Sequence, residues 1–389
     1  MSSSPSSSSS LWIGLAGAAA MAGAMGFGRF VYTPILPGMI TGIPLSSADA
    51  GTIAAGNFAG YLLGAIASAY GWAAGRERKV ALAGLLASVV LLAAMGLTTS
   101  VATFTVIRFL AGAASALAML FTSTIVMMHA AGRPTIGMLH FGGVGVGIAL
   151  SSLLVLGVNA LAGDAAHGWR LDWFASAAVV LAIFVFVQRF LPRPQGDAKS
   201  VAEPPLVWRL PLIMTVLSYG LYGFGYVITA TFLVAIARMG NTGPMIEFLV
   251  WFVAGCAAAV SLFAWNPIAR RIGLGGAYLA AIVVLLIGVV ASVELPPVAG
   301  TLVGGFLLGA TFMVITAFGL QLGRRFAPQS PRRAIAVVTA AFGTGQIIGP
   351  LVAGFVAERT GSFTAPSLLA AGVLVAAIAL SLPLLRERG

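Results

Sequence analysis

The stretch GFGRFVYTPILP, Gly26 to Pro37, lies well inside an apolar run that begins at Leu11. It sets an arginine, Arg29, among glycines and aromatic residues and follows it with Pro34 and Pro37. Two prolines would break a helix in water. A helix that crosses a bilayer tolerates them where neighbouring helices re-satisfy the freed carbonyls. An arginine at mid-span costs about 2.5–3.5 kcal/mol on insertion scales, so it must face protein or a wet cavity. Read as the middle of a membrane span, this stretch sets both the fold and the place to look for a site.

The rest of the chain supports that reading. Of 389 residues, 59% are hydrophobic and 8% charged, and the mean hydropathy is +1.03. Soluble domains carry about 25% charged residues, so a water-facing surface could not be built here. The apolar blocks are each about the 20 residues needed to cross a hydrocarbon core. Alternating strands of about ten residues, the mark of a membrane barrel, are absent from the sequence. The 49 glycines suit close helix approach in lipid. The single cysteine, Cys256, sits in an apolar block and implies no disulfide framework. Residues 1–10, MSSSPSSSSS, read as a disordered polar tail. No Lys or Arg precedes the apolar run, so a secretory signal is not expected.

Blocks and breakers place spans near 11–40, 47–72, 80–99, 102–128, 135–161 and 171–190. A second set follows near 210–238, 244–269, 275–294, 298–322, 334–357 and 364–385. The fold class expected is therefore an all-α membrane protein with twelve transmembrane helices in two pseudo-symmetric six-helix bundles. The bundles are residues 11–191 and 209–389, joined by a cytoplasmic linker, 192–208, that contains RPQGDAKSVAEPP (Arg193 to Pro205). Basic residues test the layout. Sixteen of the 21 Lys and Arg fall on one side: Arg76, Arg78, Lys79, Arg133, Arg189, Arg193, Lys199, Arg209, Arg270, Arg271, Arg324, Arg325, Arg332, Arg333, Arg386 and Arg388. Only Arg170, Arg238 and Arg359 fall on the other. The positive-inside rule then puts both termini in the cytoplasm. The same bias accounts for the net charge of +11 without a nucleic-acid partner.

The halves echo each other. Gly26, Phe27 and Gly28 match Gly223, Phe224 and Gly225 of GFGYVITATFL, and at that offset Arg29 falls on Tyr226. GGVGVG, Gly142 to Gly147, partly echoes GTGQIIGPLVAG, Gly343 to Gly354. Self-similarity between corresponding spans marks transporters built from repeats.

Twelve spans split six and six resemble the major facilitator superfamily, and local sequences agree. GRERK (Gly75 to Lys79) is similar to that superfamily's loop motif, without the acidic residue expected before the basic cluster. RFLAG (Arg108 to Gly112) resembles its arginine motif in the fourth span, and HGWR (His167 to Arg170) is common ahead of the sixth. GQIIGPLVAG (Gly345 to Gly354) resembles the exporters' Gly-Pro motif, displaced here from the fifth span to the eleventh. GFGRF-YTP-LP-M and LHFGGVGVGIALS resemble the bacterial YbfB/YjiJ-like branch. The resemblance implies a membrane transporter and leaves its substrate unnamed.

Two arginines, Arg29 and Arg108, fall inside spans, while every Asp and Glu falls at a linker or a span margin. A guanidinium with no fixed counter-ion suits a carboxylate or phosphate, which its planar fork matches. The alternative is that Arg29 binds carbonyls freed by Pro34 and Pro37, or Asn57, and only fixes the first helix. Arg108 is a candidate for substrate, for proton coupling or for bracing. Tyr32, Tyr222 and Tyr226 could contact a ligand or satisfy themselves on neighbours. Asn57 and Gln346 are ligand contacts or interhelical glue. His140 could carry a proton or simply cap or pack. Gly142, Gly143, Gly145, Gly147, Gly345, Gly349 and Pro350 read as packing or gating positions. No metal-ligand spacing and no nucleophile–base pair points to an enzyme, and no cofactor is expected. The expectation is a monomeric, multi-pass transporter of the bacterial inner membrane that moves a small organic anion by alternating access. Proton coupling, export of drugs or apolar metabolites, and a sensor on a transporter scaffold are the alternatives.

Overall fold

The computed structural model describes residues 7–129, 133–162, 168–194 and 203–385. Residues 1–6 of the tail, Asp164, the linker core 195–202 and Arg386, Glu387 and Arg388 lie outside the described residues. Within them the chain is helical, with no strand. Eleven stretches are long and apolar enough to cross a membrane.

In order, the helices are α1 (Ser7–Met21), α2 (Tyr32–Gly42), α3 (Ser47–Ser68), α4 (Glu77–Met95), α5 (Val101–His129), α6 (Pro134–Ala162) and α7 (Gly168–Phe190). Beyond the linker come α8 (Leu210–Met239), α9 (Pro244–Glu294), α10 (Pro297–Phe326), α11 (Pro331–Thr360) and α12 (Thr364–Ser381). α1 begins at Ser7, inside the stretch expected as tail. α9 runs for 51 residues and is interrupted at Gly273, whose φ of 79° and ψ of 164° are not helical. A side chain is rarely tolerated at such a φ, and glycine removes that penalty.

The first span departs from the single helix expected. α1 passes into a π-helical segment, Ala22–Phe27, then a turn through residues 28–31, and only then α2. The local reason is Pro34, which has no N–H to give to the Phe30 carbonyl four residues back. Thr33 N–H donates to Phe30 instead, at 3.2 Å, and the carbonyls of Gly28 and Arg29 lose their helical partners. π-bulges of this kind recur at functional sites.

The helices before and after the linker meet along two seams. On one, Gly142 and Gly145 of α6 lie so close to α9 that a Cβ would run into the Ala259 backbone. On the other, Gly51 of α3 packs against the carbonyl of Pro350, and Gly354 of α11 packs against that of Ser47. This second seam closes where α3 begins and α11 ends. There Glu358 accepts hydrogen bonds from the Ser46 hydroxyl (2.9 Å) and the Ala48 N–H (3.2 Å). The start of α1 and the end of α12 lie at the opposite end. Trp12 stacks on Phe190 (4.9 Å), and Ser218 in the first half of α8 bonds Ser381 at the end of α12 (2.7 Å).

Thr33 donates to the carbonyl of Ala230 at 2.7 Å, and these residues are 197 apart, the offset that relates Gly26 to Gly223. A contact between positions made equivalent by a repeat lies on the axis relating them. α2 and α8 therefore cross at the pseudo-twofold axis, with Arg29 one turn from it.

Candidate functional site

Arg29 is 4% exposed, and its Nε and Nη2 are buried without a hydrogen-bond partner. Three rings surround the guanidinium: Tyr61 at 4.2 Å, Phe58 at 4.7 Å and Phe30 at 5.4 Å from their centroids. Phe58 and Tyr61 are three apart on α3 and so share a face. A desolvated cation–π contact is worth about 2 kcal/mol. The cage thus offsets much of the cost of holding a guanidinium in the bundle, and the Tyr61 hydroxyl lies within interaction range of it, but ring faces accept no N–H bond in the way an oxygen does. Among the described residues no carboxylate forms an ion pair with Arg29; Glu247 is taken by Arg238 and Glu203 by Arg332.

Arg108 has a different task. Its Nη1 donates to the Gly28 carbonyl (3.0 Å) and its Nη2 to the Arg29 carbonyl (2.7 Å), the two groups freed by the broken first span. The bracing expected as an alternative for Arg29 is performed by Arg108, whose two terminal nitrogens are engaged while its Nε is buried without a partner. Its plane also lies over Tyr32, 5.3 Å from the ring centroid. Asn57 holds the same region by donating to the Arg108 carbonyl at 2.9 Å, which leaves Asn57 Oδ1 buried without a partner.

The other expected residues divide clearly. Tyr32 donates to the Ala50 carbonyl (3.0 Å) and Tyr222 to that of Phe312 (2.7 Å), so both hydroxyl protons are engaged within the protein. Tyr226 differs: its oxygen accepts a hydrogen bond from Gln346 Nε2. Its own proton is left to give. Gln346 Oε1 is buried without a partner. Tyr226 lies within electrostatic range of Arg29, its repeat-equivalent. His140 bonds Ser123 (2.9 Å) and packs against Gly17, so it sits inside the α1–α5–α6 cluster and away from the α8–α12 helices.

Gly143 and Gly147 admit the backbone of the first span at Ala18 and Ala22, whereas Gly142 and Gly145 admit α9. Gly345 and Gly349 do the corresponding work against α8, at Gly220 and Phe224. The sequence echo is thus matched by equivalent packing. Pro350 contributes its carbonyl to the α3 seam.

The reading from sequence passed over Phe30, Phe58, Tyr61, Thr33, Phe312 and Phe342. Tyr226 lies between the rings of Phe312 and Phe342 in orientation, within 5° of parallel to each, at 6.2 and 5.7 Å. Phe30 meets Phe312 edge-on at 5.8 Å. The i, i+3 spacing of Phe58 and Tyr61 beside Asn57 was the available signal. The C-terminal rings had none, because their meeting point is set by how the helices pack.

Two cavities flank the Thr33–Ala230 contact. A larger one of about 650 Å³ is lined by Pro34, Ser152, Asn159, Trp169, Arg238 and Glu247 among others, toward the end remote from the termini. A small one of about 10 Å³ lies against Arg29, Tyr32, Phe58, Arg108 and Thr231, with room for roughly one water.

A helical membrane bundle with an internal repeat, a broken first span and a buried cation at its axis defines a membrane transporter of the major facilitator fold. The chain belongs to the family described as "Uncharacterised MFS-type transporter YbfB", which matches residues 21–382. Three solved structures share the fold. The nucleoside transporter NupG covers 98% of this chain and 100% of its own (14% identity, TM-score 0.72), and a mutant form of NupG covers 96% and 99% (14%, 0.75). A bacterial homologue of the human lysosomal transporter Spinster, inward-facing and unoccupied, covers 98% of each chain (13%, 0.76). Comparison of the sequence with curated proteins finds no match.

Proposed function

We propose that the protein is a secondary transporter that moves a small organic anion by alternating access, with Arg29 as the charge that receives it. The observation that carries this is a buried guanidinium with two unpartnered nitrogens and, among the described residues, no carboxylate paired with it, one turn from the axis between the repeats. An unmade hydrogen bond from a buried charged group costs more than the roughly 1–3 kcal/mol of a neutral one. An incoming carboxylate or phosphate removes that cost and neutralises the charge. Arg108 acts as the positioning residue, holding the turn that aims Arg29. Tyr226 is the ligand contact from the C-terminal repeat, with its proton unspent.

The transport unit is a monomer in lipid, with twelve crossings arranged six and six. α9, at 51 residues, would be about 76 Å long at 1.5 Å per residue, more than twice a hydrocarbon core of about 30 Å. Its break at Gly273 makes it two spans. The positive-inside bias supports cytoplasmic termini, in a protein of the bacterial inner membrane. Side-chain hydrogen bonds between the repeats, from Thr33, Ser46 and Ser152, fasten the contact between the two halves. Rocking of the repeats about α2 and α8 would then open it.

The test is counterflow in proteoliposomes across a panel of small carboxylates and phosphate esters, with wild type, Arg29→Lys and Arg29→Ala side by side. Arg29→Ala is expected to abolish anion exchange and Arg29→Lys to retain a fraction of it. Unchanged exchange in Arg29→Ala overturns the reading.

A further inference from the structure

We infer that the anion is a carboxylate carried on a flat, unsaturated body, an aromatic or heteroaromatic acid; this rests on the anion reading above. The argument is the inventory of groups around Arg29. On the α1–α7 side the guanidinium is enclosed by Phe30, Phe58 and Tyr61. On the α8–α12 side the rings of Phe312 and Phe342 lie within 5° of parallel to Tyr226. The three form a stacked set of rings sharing one orientation. Tyr222 extends it at 21° to both Tyr226 and Phe342.

Polar groups with free capacity are few. Among the described residues they are Arg29 Nε and Nη2, Arg108 Nε and the Tyr226 hydroxyl as donors, with Asn57 Oδ1 and Gln346 Oε1 as acceptors. The hydroxyls of Tyr32 and Tyr222 are engaged in backbone bonds. A sugar or polyol would bring many hydroxyls into a place with few partners, and each unmet group would cost binding. A carboxylate needs two or three donors, and that number is present. Its body must then lie on ring faces. Aromatic rings prefer offset stacked or edge-to-face contact, which a planar guest provides and a puckered aliphatic ring does not.

The cage also sets the charge count. Arg108 spends Nη1 and Nη2 on the carbonyls of Gly28 and Arg29 and keeps only its Nε, so among the described residues Arg29 is the guanidinium here with a free pair of donors. A single carboxylate matches that pair of donors.

The experiment measures binding to the purified full chain in detergent by thermal shift and by equilibrium titration. The probes are benzoate, cyclohexanecarboxylate, benzyl alcohol and inorganic phosphate. Wild type is expected to bind benzoate about 2- to 12-fold more tightly than cyclohexanecarboxylate and to ignore benzyl alcohol. Phe342→Leu is expected to narrow that ratio toward one while both acids still bind; its thermal unfolding without ligand checks the fold. Equal affinity for the two acids in wild type overturns the planar-body inference and leaves the anion reading standing. Preference for phosphate over both acids also overturns it. Binding of benzoate that survives Arg29→Ala, or no binding by any anion, overturns the anion reading and this inference together.

Discussion

Replacing Arg108 tests whether it braces the first span or receives substrate. In Arg108→Ala the carbonyls of Gly28 and Arg29 lose donors at 3.0 and 2.7 Å, and both are buried where the turn at residues 28–31 leaves them without a helical N–H. Hydrogen bonds to charged groups are worth about 1.5–3 kcal/mol each, which gives roughly 3–6 kcal/mol for two. Measured interhelical hydrogen bonds in membrane bundles average nearer 0.6 kcal/mol, because the unfolded state within the membrane finds partners too. The loss is therefore expected between about 1 and 6 kcal/mol. Arg108→Lys keeps the charge but offers one compact ammonium in place of a planar fork, so it should reach one carbonyl and recover about half. The assay is thermal unfolding in detergent without ligand, followed by anion binding on whatever remains folded. The expected order of stability is wild type, Arg108→Lys, Arg108→Ala. If Arg108→Ala unfolds with wild type while its anion affinity collapses, the bracing argument is refuted and Arg108 is a ligand residue.

Two further outcomes follow from the seams. Glu358→Gln should loosen the contact with Ser46 and Ala48. Because the contact is exposed, the effect is small: about a 2- to 5-fold rise in thiol labelling of a cysteine placed near Gly51 in a Cys256→Ser background, read from the side remote from the termini. Unaltered labelling would show that the backbone contacts at Gly51 and Gly354 hold the seam alone. Gly145→Leu should block the approach of α6 to α9 at Ala259. Lost exchange with preserved folding is expected there, and wild-type exchange would remove this seam from the transport cycle.

Much of the architecture was legible in the sequence because lipid imposes a simple rule. A span must be apolar for about 20 residues and must satisfy its own backbone. The helical spans and most of their positions then follow from composition and breakers. The broken first span was less legible. Pro34 and Pro37 announced a bend, but its place at residues 28–31 depends on which carbonyls a distant side chain can reach. That side chain is Arg108, 79 residues from the Arg29 carbonyl it binds.

The site divides along the same line. Sequence alone showed that Arg29 and Arg108 are buried cations with every acidic residue at a margin, since electrostatics in lipid leaves little choice. It could not assign their roles, because a guanidinium serves a carbonyl or a guest equally well and only position decides between them. Packing gave Arg108 to the backbone, put Arg29 in a cage of rings, spent the protons of Tyr32 and Tyr222 and left that of Tyr226 free. Those outcomes depend on distances of a few ångströms between residues far apart in the chain, and hydrogen bonds and ring contacts vanish over such distances. Hydropathy is summed along the chain and survives in the sequence; partner choice arises only when the helices have closed on one another.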